Sequence, residues 1–178
     1  MAKPEDVIPE SVLKAIGGKA IKNKLSMVVL SGDMDKVMAA FIIATGAAAS
    51  GMEVTMFFTF WGMKAIQKDG ILTGQSLFGR MLGLMNRGGL KAIGPSRLNM
   101  GGMGRWMFKL MMKQKGVASL TELYDSAVEL GIKMMPCDMS MRVMEFDPRT
   151  DFKPNVTEPV GVAVFLEEAS ESRVTLFI

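Results

Sequence analysis

Three short apolar runs, each closed by turn-forming residues, constrain the fold of this chain most. Leu25-Ser26-Met27-Val28-Val29-Leu30 ends at Ser31-Gly32-Asp33, Val54-Thr55-Met56-Phe57-Phe58 leads to Trp61-Gly62, and Ile132-Lys133-Met134-Met135-Pro136 ends at Cys137-Asp138. Runs of this length without clean polar alternation have both faces covered, the mark of buried strands in a parallel sheet. Parallel strands need helical crossovers, and the intervening segments supply them. Asp33 or Asp35 can cap a helix running to about Ser50, and Ser119 with Glu122 forms a capping box for a helix ending near Leu130-Gly131. Shorter helices are expected at Met63–Lys68, Leu77–Met85, Asp138–Met144 and Gly161–Ser170, with another following Gly104. Strands near Val156 and at Arg173–Ile178 complete the pattern. The fold class is therefore α/β: a doubly wound, mostly parallel sheet of about five strands with helices on both faces.

One domain accommodates the chain's 178 residues, 49% of them hydrophobic. Residues 1–23, interrupted by Pro4, Pro9 and Gly17-Gly18, read as an N-terminal extension with a short helix at Ser11–Ile16, and 24–178 as a single α/β domain. Inside it, about 70–115 forms an irregular, Met/Gly-rich basic insertion. The uncharged stretch Val37–Met52 is 16 residues long, short of the roughly 20 that cross a bilayer. Met1–Asp6 lacks the basic start and apolar core of a secretory signal.

Charge is distributed unevenly. Gln75–Lys115 holds eight basic residues, Arg105 and Lys109 among them, and no acidic one. The rest of the chain keeps 13 of the 21 basic residues and all 18 acidic ones, a net of −5. Many of the 19 methionines lie in the basic part. Core packing accounts for such residues in most chains, but basic side chains interleaved with adaptable methionines also suit an acidic partner, another subunit or an anionic membrane surface. Nucleic acid is not expected, because only Trp106, Phe78 and Phe108 are there to stack on bases. A phosphate site at Gly101-Gly102-Met103-Gly104 is a poorer reading than a flexible linker.

The chain has one cysteine and no histidine. This excludes Ser-His-Asp and Cys-His catalysis, histidine-bound metals and any intrachain disulfide, and points to a reducing, cytoplasmic setting without a metal or cofactor. Cys137 stands where a strand ends and a helix begins, where a helix dipole favours a thiolate. In open α/β sheets ligands gather at the carboxyl ends of strands. That rule groups Cys137 with Ser31, Gly32, Asp33, Trp61 and Gly62, the two glycines allowing close backbone approach to a bound group. Ser140, one turn on, can donate to the sulfur, whereas Asp138 sets a negative charge beside it. A lone cysteine that merely packs is the competing reading.

Leu30-Ser31-Gly32-Asp33-Met34-Asp35-Lys36, Thr59-Phe60-Trp61-Gly62, Asn99-Met100-Gly101-Gly102-Met103-Gly104, Met135-Pro136-Cys137-Asp138-Met139-Ser140 and the closing Val174-Thr175-Leu176-Phe177-Ile178, taken together, resemble the DsrE/DsrF-like sulfur-relay family, in its peroxiredoxin-family-labelled branch. The resemblance covers about residues 24–178. It implies a doubly wound fold, a homo-oligomer, and a carrier or sulfurtransferase that holds persulfide sulfur on Cys137 between sulfur donor and acceptor proteins. Some relatives have a second cysteine; here transfer between thiols of one chain is excluded. No residue pattern indicates a peroxidase. The alternative function is a non-catalytic scaffold that docks an acidic or membrane-associated partner through the basic Met-rich face, with Arg105 and Lys109 in contact and Cys137 structural.

Overall fold

The computed structural model describes residues 21–178, apart from positions 86 and 98. Its four strands are β1 (Lys22–Val29), β2 (Glu53–Phe58), β3 (Lys133–Pro136) and β4 (Ser172–Phe177), in the order β3-β2-β1-β4. Every pairing is parallel, with Met27 opposite Met56 and Leu176, and Met56 opposite Met134. The helices are α1 (Met34–Ala49), α2 (Leu77–Met85), α3 (Met103–Lys115), α4 (Leu120–Glu129), α5 (Asp138–Val143) and α6 (Val162–Ser170). Two 3₁₀ turns, Phe60–Ala65 and Met100–Gly102, follow β2 and precede α3.

The sheet has four strands rather than five. Near Val156 there are only isolated parallel bridges, Met134 to Val156 and Cys137 to Val160. Between them Thr157 donates to the Met134 carbonyl and Val160 to that of Pro136. Pro159 has no N–H, so the ladder cannot run through it. Residues 1–20 of the extension expected at 1–23, with its helix at Ser11–Ile16, lie outside the described residues, and Lys22 and Asn23 open β1.

The alternation of side chains along each strand divides the interior in two. Leu25, Met27, Val29, Val54, Met56, Phe58 and Met134 face the larger core, against Val37, Phe41 and Ala44 of α1 and Tyr124 and Ala127 of α4. Phe41 meets Tyr124 edge-on at 5.8 Å. The capping box closes the start of α4, where the Ser119 hydroxyl accepts from the Glu122 amide and the Glu122 carboxylate accepts from the Ser119 amide.

The opposite sheet face carries a much smaller cluster, Phe57, Met135, Cys137 and Phe165, flanked by Val28, Val160 and Ala169. Its cover is α6. Phe165 is the buried residue of that helix, stacked on Phe57 at 4.9 Å and 17°. Charges pin the C-terminal part of α6: the Glu168 carboxylate accepts from Lys24 of β1 and, at 2.8 Å, from Lys133 of β3. Lys24 is only 2% exposed and also reaches Glu53 at 3.0 Å. Burial pulls the Lys24 amine down, but its bonds to Glu168 and Glu53 outweigh this and raise its pKa; Lys133, then Lys24, hold Glu168 below the usual carboxylate range. Both shifts have the sign of a favourable ion pair.

Candidate functional site

Cys137 is the residue between β3 and α5, with extended backbone angles (φ −76°, ψ 117°). Its amide donates to the Phe58 carbonyl at 2.9 Å and its carbonyl accepts from Met141 at 2.9 Å, so the backbone is fixed on both sides. As the residue after β3 it falls on the smaller sheet face with Met135. The side chain is 7% exposed and lies among Phe57, Met135, Phe165, Val28, Val160 and Ala169. It makes no capping bond to α5.

The companions expected at the strand ends sit elsewhere. Ser31, Gly32, Asp33 and Trp61, together with Lys64, line an open recess of about 290 Å³. The thiol was expected at the mouth of this recess beside Asp33 and Trp61; instead it faces the apolar cluster under α6. The Asp33 carboxylate accepts from Ser31 and Lys36, each at 3.0 Å, and gives α1 no side-chain cap. Asp35 is also not a cap, because it accepts from the Ser96 amide and hydroxyl at 2.7 and 2.8 Å. Ser140 pairs with the Thr59 hydroxyl at 2.6 Å, which ties α5 to the end of β2.

Gly32 and Gly62 do permit close approach, but of one loop to the other. A Cβ on Gly62 would lie 2.0 Å from the Val29 carbonyl oxygen, and one on Gly32 2.3 Å from that of Trp61. The Gly62 amide is used by the Leu30 carbonyl at 2.8 Å.

Sequence reasoning missed Lys64, Phe57 and Phe165. Lys64 lies 5.8 Å from the Trp61 ring centroid; burial lowers its amine pKa, with the Asp33 charge opposing. Its signal was a single cation in the otherwise uncharged run 54–67. Phe57 and Phe165 share the buried apolar cluster of Cys137, and the doubled Phe57-Phe58 had already marked β2 as covered on both sides. Phe60, between β2 and the recess, has a φ of 43°, a left-handed conformation rarely taken by an aromatic residue.

Arg105 and Lys109 point back at the protein body. Arg105 donates to the Ala92 carbonyl, and Lys109 to that of Lys91 at 3.0 Å. Burial, then the neighbouring charges of Arg105 and Lys91, lower the Lys109 pKa despite the opposing pull of Asp69. Among the described residues, no three acidic or cysteine side chains are grouped to hold a metal ion, and no helix is long and apolar enough to cross a membrane.

The arrangement shields one sulfur. Reactive cysteines typically lie in electropositive, partly exposed surroundings, and this one is buried in an apolar cluster with two stacked rings. Any exchange at the thiol therefore requires the cover to move first.

The DsrE/DsrF/DrsH-like family matches residues 21–177. The chain is 39% identical over 156 residues to the uncharacterized protein YrkE of Bacillus subtilis (strain 168), spanning 87% of this chain and 96% of that one. It is 35% identical over 159 residues to the sulfur carrier protein DsrE2 of Allochromatium vinosum, spanning 88% and 99%. The crystal structure of the ychN protein from E. coli shares the fold, with a TM-score of 0.50 at 7% identity over 87% of this chain and 98% of that one.

Proposed function

Because the chain belongs to the DsrE/DsrF/DrsH-like family, we propose that it is a sulfur carrier that holds persulfide sulfur on Cys137 and passes it to a partner protein thiol. One observation carries the reading: a chain that aligns over 88% of its length with a sulfur carrier has a single thiol, at the exit of edge strand β3. A persulfide needs a cysteine, and no other residue can form one.

The exchange balances without an oxidant. The Cys137 thiolate attacks the outer sulfur of a donor persulfide; a new S–S bond forms on Cys137, the donor's S–S bond breaks, and the donor leaves as a thiolate that takes up a proton. Delivery repeats the step with the acceptor thiol as nucleophile. Because no second cysteine exists, both steps are intermolecular. The burial of Cys137 fits this role, because a loaded persulfide under Phe165 is protected from stray thiols and oxidants. A carrier thiol of this kind works in a reducing compartment such as the cytoplasm. A homo-oligomer is part of the same reading: edge strand β4 leaves Phe177 69% exposed, and α6 turns Val162, Val164 and Leu166 outward.

The test is intact-mass analysis after incubation with a persulfide donor. The expected result is a gain of one or more sulfur atoms that reducing agent removes and Cys137→Ser lacks. A folded protein that gains no more than this variant is not a sulfur carrier. A second reading, a non-catalytic scaffold, draws on the burial of the thiol; in it Cys137→Ala leaves partner binding unchanged and sulfur uptake has no physiological acceptor.

A further inference from the structure

We infer that the α2–α3 region is a peripheral docking surface for an anionic lipid membrane. The inference does not depend on the sulfur chemistry and rests on the way α3 is mounted.

Met103, Trp106, Met107, Leu110 and Met111 recur at the spacing of one helix face. In a typical surface helix such a stripe is buried. Here all five are exposed, Trp106 at 65%. The buried residues of α3 are Met112, on the opposite side, and Gly104, at the flank of the stripe in the first turn. Arg105 and Lys109 secure that inner side by bonding to the Ala92 and Lys91 carbonyls. The helix is thus held with its apolar stripe outward. It stands between two grooves, one of about 670 Å³ lined in part by Leu72, Leu84 and Arg87, and one of about 700 Å³ bordered by α4.

The neighbouring α2 is mounted in the same way. Its buried residues are Gly79 and Gly83, packed against Glu145 and Thr73, and Leu77, Phe78, Met81, Leu84 and Met85 are exposed. The Glu145 carboxylate accepts from the Gln75 and Ser76 amides and so fixes the start of α2. Exposed apolar surface on this scale marks an interaction site.

Charge selects the occupant. Arg80, Arg87, Lys91, Lys113 and Lys115 are exposed around the apolar residues, and no acidic residue occurs between Gln75 and Lys115. Aromatic and aliphatic side chains beside a cationic rim are what an interfacial helix presents to anionic headgroups. At 13 residues, α3 is too short to cross a bilayer and lies on it.

The test is flotation of the full chain with phosphatidylcholine vesicles, with and without added phosphatidylglycerol, beside light scattering of the free protein. Binding is expected only to the anionic vesicles, weakening with salt. Lys113→Glu and Arg80→Glu should each weaken it roughly fivefold or more. The double variant Met107→Asp/Met111→Asp, at exposed positions, should abolish it while keeping the wild-type circular dichroism, and Cys137→Ala should not affect it. Tryptophan emission should shift to the blue on binding in Trp61→Phe but not in Trp106→Phe. The inference is overturned if the chain ignores anionic vesicles, binds neutral ones equally, or forms an oligomer that the double aspartate variant dissociates while the wild type stays off vesicles.

Discussion

Replacing Phe165 by alanine should uncover the thiol without unfolding the protein. Phe165 is 4% exposed and is the residue by which α6 enters the smaller cluster. Phe→Ala in a closed core costs about 3–5 kcal/mol. This site lies under a single surface helix that water can reach once the ring is gone, so a loss of about 2–3 kcal/mol is reasonable, including about 1 kcal/mol for the stack on Phe57. If α6 is the cover, that loss falls on its local opening, because Glu168 still holds its C-terminal part. At a factor of ten per 1.4 kcal/mol, the opened fraction rises roughly 30- to 150-fold. The assay is the rate of modification of Cys137 by a chromogenic disulfide reagent in native buffer, with a Phe165→Leu control near the wild-type rate. An unchanged rate would refute the reasoning. So would an increase with the same denaturant dependence as global unfolding, because the thiol would then be freed by the whole domain and not by α6.

Two further outcomes follow from the same packing. Glu168→Gln should destabilise the fold by about 2–4 kcal/mol in urea, below the full range for a broken buried pair because Glu53 still reaches Lys24. The depressed Glu168 contributes stability above its ordinary value of 4.5 that is lost as pH falls through the folded pKa, and the raised Lys24 contributes below 10.5 and loses it as pH climbs through its own folded pKa. The variant should flatten the stability profile at both ends; a profile parallel to wild type would remove the pair from the account. Gly62→Ala should cost about 3 kcal/mol, because the added methyl meets the Val29 carbonyl oxygen, and a melting temperature matching wild type would contradict that contact.

The elements were legible where local chemistry sets them. Apolar runs located β1, β2 and β3, and Ser119 with Glu122 fixed the start of α4. The strand near Val156 was overcounted because an apolar residue between prolines looks like a strand until the missing N–H of Pro159 is considered. The strand-end position of Cys137 could be read, but its direction could not. Side-chain alternation sends it to the sheet face whose cover, α6, begins 25 residues later at Val162. Gly32 and Gly62 signalled a tight approach without saying that the visitor was the other loop. The helix after Gly104 was likewise expected, but which of its sides the protein body would take was not legible, because that depends on where Arg105 and Lys109 find carbonyl oxygens.

The two ends of α6 are secured by different means. Its last turns are riveted to β1 and β3 through Glu168, whereas its first residue follows Gly161, which offers no capping side chain. At the start, the backbone does the holding: Val160, just before the helix, donates to the Pro136 carbonyl, accepts from the Asp138 amide and is bridged to Cys137. Under the sulfur-carrier proposal, the one thiol of the chain serves both donor and acceptor, so loading and unloading must take turns.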